Sequence, residues 1–349
     1  MLAHVLFAMP LVFILTAFAE DNPFIGRWAL DPESGGAACL EIERRDGLIS
    51  GSLLWIGGSP EPFVRIFRDG DSLHGVRMVY DPANVAAIPH LILLTATLNN
   101  DVLSGTLLEP APMGESAYRQ SFTGQRMSPI PPRPDLATIQ FGEPEVLFDG
   151  KSLNGWVVAG GAHWGVTGKD STGKDSLGWI PTDEAVQSGW SVRDGVLRNN
   201  PVQQPSQPHI RYGNLVTEST FDDFKLMFET RVPEDGNSGV YLRGVYEIQI
   251  RDSYELPVDS HTMGALYGRI TPAASAERPA GEWQQVEITL VKQHVTVVLN
   301  GATIIDNKSV AGCTGGALWS DVTRPGPIYL QGDHTAVEFR NMVVRRVKQ

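Results

Sequence analysis

Residues 236–252 run Gly236-Asn237-Ser238-Gly239-Val240-Tyr241-Leu242-Arg243-Gly244-Val245-Tyr246-Glu247-Ile248-Gln249-Ile250-Arg251-Asp252. Between 240 and 250 the even positions Val240, Leu242, Tyr246, Ile248 and Ile250 are large and apolar or aromatic, and Gly244 is the exception. Successive side chains of a strand point to opposite faces, so the alternation predicts one face turned into a core. The odd positions carry Tyr241, Arg243, Glu247, Gln249 and Arg251, with Val245 the one apolar member. A phenol, two guanidinium groups, a carboxylate and a carboxamide are the groups that grip a polyhydroxylated ligand. A solvated face with an incidental ion pair is the plainer alternative.

Just upstream, Phe224, Leu226, Phe228 and Val232 alternate with Lys225, Met227, Glu229 and Arg231, and Asp235-Gly236-Asn237 offers a turn. The two segments are expected to pair as one hairpin, which would set Glu229 or Arg231 beside Arg243 or Glu247. Further strands are expected over 286–290, 295–299 and 337–344, the second closed by Asn300-Gly301. Strands without intervening helices predict two packed antiparallel sheets.

The first part of the chain has the same character. Short apolar segments at 26–30, 38–42, 48–55, 64–67, 72–78, 90–97 and 102–107 are separated by Asp46-Gly47, Gly57-Gly58, Asp69-Gly70-Asp71 and Asn99-Asn100. This predicts an up-and-down antiparallel meander closing on itself over a domain of residues 20–127. Its Gly26-Arg27-Trp28 opening resembles that of lipocalin-type barrels. The Pro-rich run Ser128-Pro129-Ile130-Pro131-Pro132-Arg133-Pro134 is expected to be extended and marks a linker over 128–144, before a second domain at 145–349.

A chain of 349 residues accommodates two such cores. Its formal charge of -12, from 40 acidic and 28 basic residues, argues against nucleic acid or an anionic membrane surface as partner. Residues 5–19 are apolar except for Pro10 and Thr16, end in the small-residue step Ala17-Phe18-Ala19 and precede Glu20-Asp21-Asn22. This predicts a signal peptide over 1–19 and an exported protein, periplasmic or extracellular; the leader lacks Lys or Arg, which leaves an uncleaved anchor as the alternative. Cys39 and Cys313 are the chain's two cysteines, one in each expected domain, and spacing alone does not decide whether they pair.

The second domain carries a chain of signatures: residues 145–156 with Phe148-Asp149-Gly150 and Trp156, Trp190-Ser191-Val192-Arg193-Asp194-Gly195-Val196-Leu197, Leu215-Val216-Thr217-Glu218, and the 221–231 segment. They continue through Asn237-Ser238-Gly239-Val240-Tyr241-Leu242-Arg243-Gly244, Gly281-Glu282-Trp283, Leu299-Asn300-Gly301, and Gly326-Pro327-Ile328-Tyr329-Leu330-Gln331 with His334 and Phe339-Arg340-Asn341. In this order they resemble the 3-keto-disaccharide hydrolase family. The resemblance implies a concanavalin-like jelly-roll sandwich, commonly exported by bacteria. With the first domain, the fold class is all-β: a small antiparallel β-barrel-like domain followed by a jelly-roll β-sandwich.

The same resemblance implies cleavage of a glycosidic bond in a sugar oxidised at C3. A C3 ketone acidifies the hydrogen on C2, so a base removes it, the C1 leaving group departs, and water adds afterwards. That chemistry needs a base, a stabiliser of the enediolate such as a divalent metal ion or an arginine, and a donor at the leaving oxygen. Glu247 is the candidate base or metal ligand, Arg243 the charge stabiliser, and His334 an acid or metal ligand. Tyr241, Gln249, Arg251, Asp252, Glu229 and Gln331 are candidate substrate contacts, Asp252 only if a bulge turns it onto the polar face. The family pattern is broken at Gln331-Gly332-Asp333-His334-Thr335, where a Gly precedes the Asp-His pair and Thr replaces the customary Gly.

Two other classes compete. A conventional glycoside hydrolase needs two carboxyl groups on one face, and the segment 247–251 supplies one, with Glu229 the nearest second source. A non-catalytic carbohydrate-binding module would use exposed aromatics such as Trp164 and Trp179, though an isolated Trp more often serves a core. The eight histidines include no His-x-His or His-x-x-x-His pair, so a metal would need ligands from separate strands and loops. Thr167-Gly168-Lys169-Asp170 recurs as Thr172-Gly173-Lys174-Asp175 without P-loop spacing and is expected to be a surface loop. Residues 252–279, with Asp259, His261, Tyr267 and Arg269, form a long connection of the kind that carries ligand contacts.

Overall fold

A computed structural model describes residues 22–79, 90–109, 117–160, 163–169, 175–180, 186–203 and 210–348. The expected leader, residues 170–174 of the Thr-Gly-Lys-Asp repeat and His209 lie outside the described residues, as do the side chains of His90, His163, Trp164 and Trp179. Among the described residues the structure is almost entirely β, and its one helical element is the single turn Leu136–Thr138. None of its helices is long and apolar enough to cross a membrane.

Residues 26–126 form one curled antiparallel sheet, a half-barrel of nine strands among the described residues. The Gly26–Pro32 strand pairs with both Ala38–Arg45 and Tyr118–Arg126, so the beginning and end of the meander meet in the middle of the sheet. Its two edges are Gly57–Pro62 and Arg65–Asp69, which follow each other in the chain. The sheet curls around Trp28, Leu30, Leu40, Leu53, Leu73, Leu103 and Phe122. Positions on the opposite face of the same strands, Cys39 and Leu54, enter the other core together with Ala37. Strict alternation thus lets two adjacent strands serve two cores at once.

The second part is a sandwich. One sheet runs in the order Trp190–Arg193, Val196–Asn199, Val337–Arg346, Phe224–Arg231, Gln284–Val291, His294–Leu299 and Ala302–Ser309. The other runs Trp156–Ala159, Asn214–Thr217, Tyr329–Leu330, Asn237–Leu242 and Tyr246–Arg251. Between them lie Leu226, Phe228, Ile288 and Phe339 from the first sheet and Val240, Leu242, Tyr246, Ile248 and Ile250 from the second. Every large even-numbered residue of the 240–250 segment is therefore in the core.

Two expectations of strand pairing are corrected. The 237–251 segment is not one strand: Asn237–Leu242 and Tyr246–Arg251 are a hairpin in their own right, with Leu242 opposite Tyr246 and Arg243-Gly244-Val245 as the turn. The left-handed backbone of Arg243 (φ 55) and Gly244 (φ 68) makes the reversal, and at Gly244 a Cβ would strike Leu318. The Phe224–Arg231 strand, expected to pair with this segment, instead pairs with Gln284–Val291 and Val337–Arg346 in the opposite sheet. Phe224–Arg231 alternates between buried and half-buried positions while both hairpin strands are buried at nearly every position, and the sequence period records which face is apolar but not which sheet a strand joins.

Candidate functional site

The hairpin keeps its odd-numbered residues on one face even though the chain reverses, because Tyr241 lies opposite Glu247 and Gly239 opposite Gln249. That face floors a cavity of about 270 Å³ lined by Tyr241, Glu247 and Gln249 from the hairpin, Asn214 and Tyr329 from neighbouring strands, and Gln331, Asp333 and His334 beyond the Tyr329–Leu330 strand. Tyr267 closes another side. It is held there by its own N–H, which donates to the carbonyl of Glu247, while Gly264 and Ala265 bond to the backbone of Gln249.

Glu247 is almost fully buried, at 3 % exposure. Its Oε2 accepts from the Tyr241 hydroxyl at 2.8 Å, and its backbone N–H donates to Thr314 Oγ1. Gly239 makes room for it, since a Cβ there would lie 2.2 Å from Glu247 Oε1. Burial pushes the carboxyl up to about 8; the Tyr241 hydrogen bond and the His334 charge pull the other way, and Asp333 adds to the rise. Tyr241 in turn stacks on Tyr329 with ring centroids 3.9 Å apart, and both phenols reach the glycine segment: Tyr241 to the Gly315 carbonyl at 2.8 Å, Tyr329 to that of Gly316 at 3.0 Å. Burial raises both phenols well above their ordinary value, so they act as neutral hydrogen-bonding groups.

His334 is partly exposed at the mouth, and its Nδ1 lies 2.7 Å from Asp333 Oδ1. That hydrogen bond raises the imidazole above its ordinary value against the opposing effect of burial. The site thus sets a buried carboxyl with a high proton affinity in the same cavity as an imidazole whose charged form is favoured. Gln249 Nε2 donates to Asn237 Oδ1 at 3.3 Å, and the Asn214 side chain accepts from Gly332 N–H at 2.9 Å, which fixes the start of the Gly332-Asp333-His334 turn. Among the described residues no group of three or more His, Cys, Asp or Glu side chains is placed to hold a metal ion. The chemistry is derived from the chain's own side chains, with no step through a metal ion.

Five of the expected residues, Tyr241, Glu247, Gln249, Gln331 and His334, come together here. Four do not line the cavity. Arg243 leaves the ladder at the turn and is buried at 2 % exposure, where its Nη1 reaches Asp222 at 3.1 Å and its Nε and Nη2 have no hydrogen-bond partner among the described residues. Glu229 sits on the outer face of the other sheet, held by Arg340 Nε and Asn341 Nδ2, both at 2.8 Å. Partial burial opposes its ionisation, but those two bonds prevail and hold it below the usual carboxylate value. Arg340 and Arg231 stack over Trp283, so these signature residues build an ion-pair pad on the sandwich surface. Arg251 and Asp252 lie past the cavity at the strand end, where Asp252 accepts from the Asp235 N–H.

A larger hollow of about 480 Å³ on the other sheet is lined by Arg193, Arg198, Arg231 and Glu338, but its carboxylate is already shared by Arg198 and Arg231. Of the residues not assigned to the site from sequence, Tyr329 was within reach of the same alternation, as Tyr329 and Gln331 are two apart. Gly57 and Gly58, which also line the cavity, were not: they belong to the half-barrel.

Comparison with known proteins follows the sandwich. A curated 3-keto-disaccharide hydrolase from Bacteroides thetaiotaomicron is 25 % identical over 186 residues, covering 46 % of this chain and 57 % of that protein. The chain thus spans little more than half the length of this curated relative. A solved structure from Parabacteroides distasonis, named as a candidate glycosyl hydrolase, is 26 % identical over 64 % of this chain and 94 % of its own, with a TM-score of 0.43. A Bacillus subtilis protein of unknown function with a galectin-like fold is 12 % identical and covers 61 % of this chain and 100 % of its own, with a TM-score of 0.31. Residues 143–345, more than half of the chain, match the family described as the 3-keto-alpha-glucoside-1,2-lyase-like domain, and the chain belongs to that family.

Proposed function

We propose that this protein cleaves the glycosidic bond of 3-keto sugars, with Glu247 as the base that takes the C2 proton. The observation that supports this most is the environment of Glu247: a buried carboxyl with a value near 8, inside a polar cavity and touched by a phenol. A base of that strength is matched to a carbon acid flanked by a ketone far better than an ordinary surface carboxylate is. Proton removal leaves an enolate, and the amide groups of Asn214, Gln249 and Gln331 around the cavity, rather than Arg243, are the donors available to the ketone oxygen. The electron pair then forms the C1–C2 double bond as the C1–O bond breaks. His334, whose charged form the Asp333 hydrogen bond favours, gives its proton to the departing oxygen. Water adding across the double bond turns elimination into net hydrolysis.

Asp333 lines the same cavity as Glu247, and this supports a second reading as a conventional two-carboxylate glycosidase. One assay separates them: release of p-nitrophenol from the 3-keto glucoside and from its unoxidised parent. Turnover restricted to the oxidised sugar supports the elimination, turnover of both supports the glycosidase, and turnover of neither removes both. The 1–19 segment supports export, and a mature N-terminus at Glu20 in protein secreted by a bacterial host tests it.

A further inference from the structure

The cavity has a wall that the family domain does not supply. Gly57 and Gly58, at the start of an edge strand of the half-barrel, line it opposite the hairpin floor. This wall is fixed in place by several contacts. Gly316 N–H donates to the Ile56 carbonyl at 2.8 Å, and Gly315 approaches Gly58 so closely that a Cβ would fall 2.2 Å from its carbonyl oxygen. Ser59 Oγ lies 2.7 Å from His261 Nε2, and the His261 ring packs edge-on against Tyr267 of the cavity. Behind the turn, Arg269 pairs with Glu41 at 2.6 Å and bonds to the Cys313 carbonyl, while Ser320 bridges the Leu30 carbonyl and the Ala38 N–H.

The two glycines face open space. A Cβ at either position meets no heavy atom of the described residues within 4 Å, and the backbone of Gly57 is not in the left-handed region. Packing demands neither glycine; the left-handed backbone of Gly58 (φ 71) favours glycine by itself, whereas at Gly57 the missing side chain acts on the volume left to a ligand. That volume, about 270 Å³, is below the roughly 300–1,000 Å³ of ordinary ligand pockets, and it is closed by the half-barrel on a side where a lone sandwich would be open.

We infer that the half-barrel domain sets the length of glycoside the site accepts: the Gly57-Gly58 wall admits a short glycoside and stops an extended glycan chain. This rests on the elimination reading above for its substrate, and on the wall geometry alone for its size limit.

The test uses the full chain, with Gly57→Trp to fill the open space and Gly57→Ala as the minimal change, and circular dichroism to establish folding. Substrates are the 3-keto forms of a methyl glucoside, a disaccharide and a tetrasaccharide. Wild type is expected to show kcat/KM for the tetrasaccharide at least about tenfold below that for the disaccharide, and Gly57→Trp to lower the disaccharide value about tenfold more than the methyl glucoside value. Equal losses on all three substrates, or a tetrasaccharide as good as the disaccharide in wild type, overturn the wall. If wild type turns over none of them, the elimination reading fails by itself, and equilibrium dialysis of the unoxidised sugars decides the wall. Binding of short but not long sugars, weakened by Gly57→Trp, upholds it; binding without length preference, or no binding, overturns it.

Discussion

Tyr241 sits directly across from Glu247 in the hairpin ladder and gives its hydroxyl to that carboxyl at 2.8 Å. Burial nevertheless outweighs the bond, and the folded-state value of Glu247, about 8, stands above its ordinary 4.5. The folded protein therefore holds this proton more tightly than the unfolded chain does. The stabilisation is complete below about pH 4.5 and is lost as pH rises through 8. Glu247→Gln keeps a neutral group of the same shape at every pH. We expect its turnover to fall by about two orders of magnitude or more. Its melting temperature should decline less than that of wild type between pH 5 and pH 9, a relative gain of up to a few kcal/mol. Parallel melting curves, or full activity, would remove Glu247 from the centre of the site.

A nitrophenolate leaves without help from an acid, which allows His334 to be separated from Glu247. In His334→Gln, the 3-keto p-nitrophenyl glucoside should still turn over, and its kcat/KM should rise with pH to a plateau set by Glu247 alone, above the wild-type value of about 8 because the lowering charge of His334 is gone. The same variant should lose about a hundredfold or more on an alkyl glycoside, whose oxygen needs a proton. Equal losses on both aglycones would show that His334 is not the donor.

Arg243 and Glu229 have structural duties outside the cavity. Arg243→Met empties a buried guanidinium site beside Asp222 and should change the melting temperature, with kcat/KM of the folded protein altered by no more than about threefold. Glu229→Gln loosens a surface pad and should cost up to about 1 kcal/mol, again without loss of turnover. Abolished activity in either folded variant would move the site to a different face.

Cys39 and Cys313 are both buried, and their sulfurs lie 2.6 Å apart across the seam between half-barrel and sandwich. Oxidised glutathione should therefore convert the pair to a cross-link. Because it joins positions 274 residues apart, chain entropy would favour the folded state by about 5 kcal/mol before any strain. The readouts are loss of both free thiols and a higher melting temperature, reversed by dithiothreitol. An unchanged thiol count in the unfolded, treated protein would overturn this.

The alternation at 240–250 was enough to fix the even-numbered side chains that pack and to bring Tyr241, Glu247 and Gln249 to the cavity, because within a strand a residue's face depends only on local period; Arg243 and Val245 in the turn and Arg251 at the strand end escape it. It did not reveal the reversal at Arg243. Leu242 and Tyr246 pair across three residues, so parity survives the turn and leaves no trace in the pattern. For the same reason Glu229 was placed beside Glu247: an alternating strand fits either sheet, and the choice is made by long-range pairing that no window of sequence contains. The contribution of Gly57 and Gly58 was hidden more deeply. They act through backbone and absent bulk, from a segment far away in the chain, and a glycine pair after a strand looks like any other turn.

One phenol carries one proton, and Tyr241 has two oxygens waiting for it, Glu247 Oε2 and the Gly315 carbonyl, each at 2.8 Å. While Glu247 holds its own hydrogen it is itself a donor to the phenol oxygen, and the tyrosine is released to bond the glycine. Once Glu247 is ionised, the tyrosine turns to it and Gly315 gives up that bond. Gly315 lies against Gly58, so the carbonyl that competes with the base for this one proton belongs to the joint where the two halves of the molecule meet.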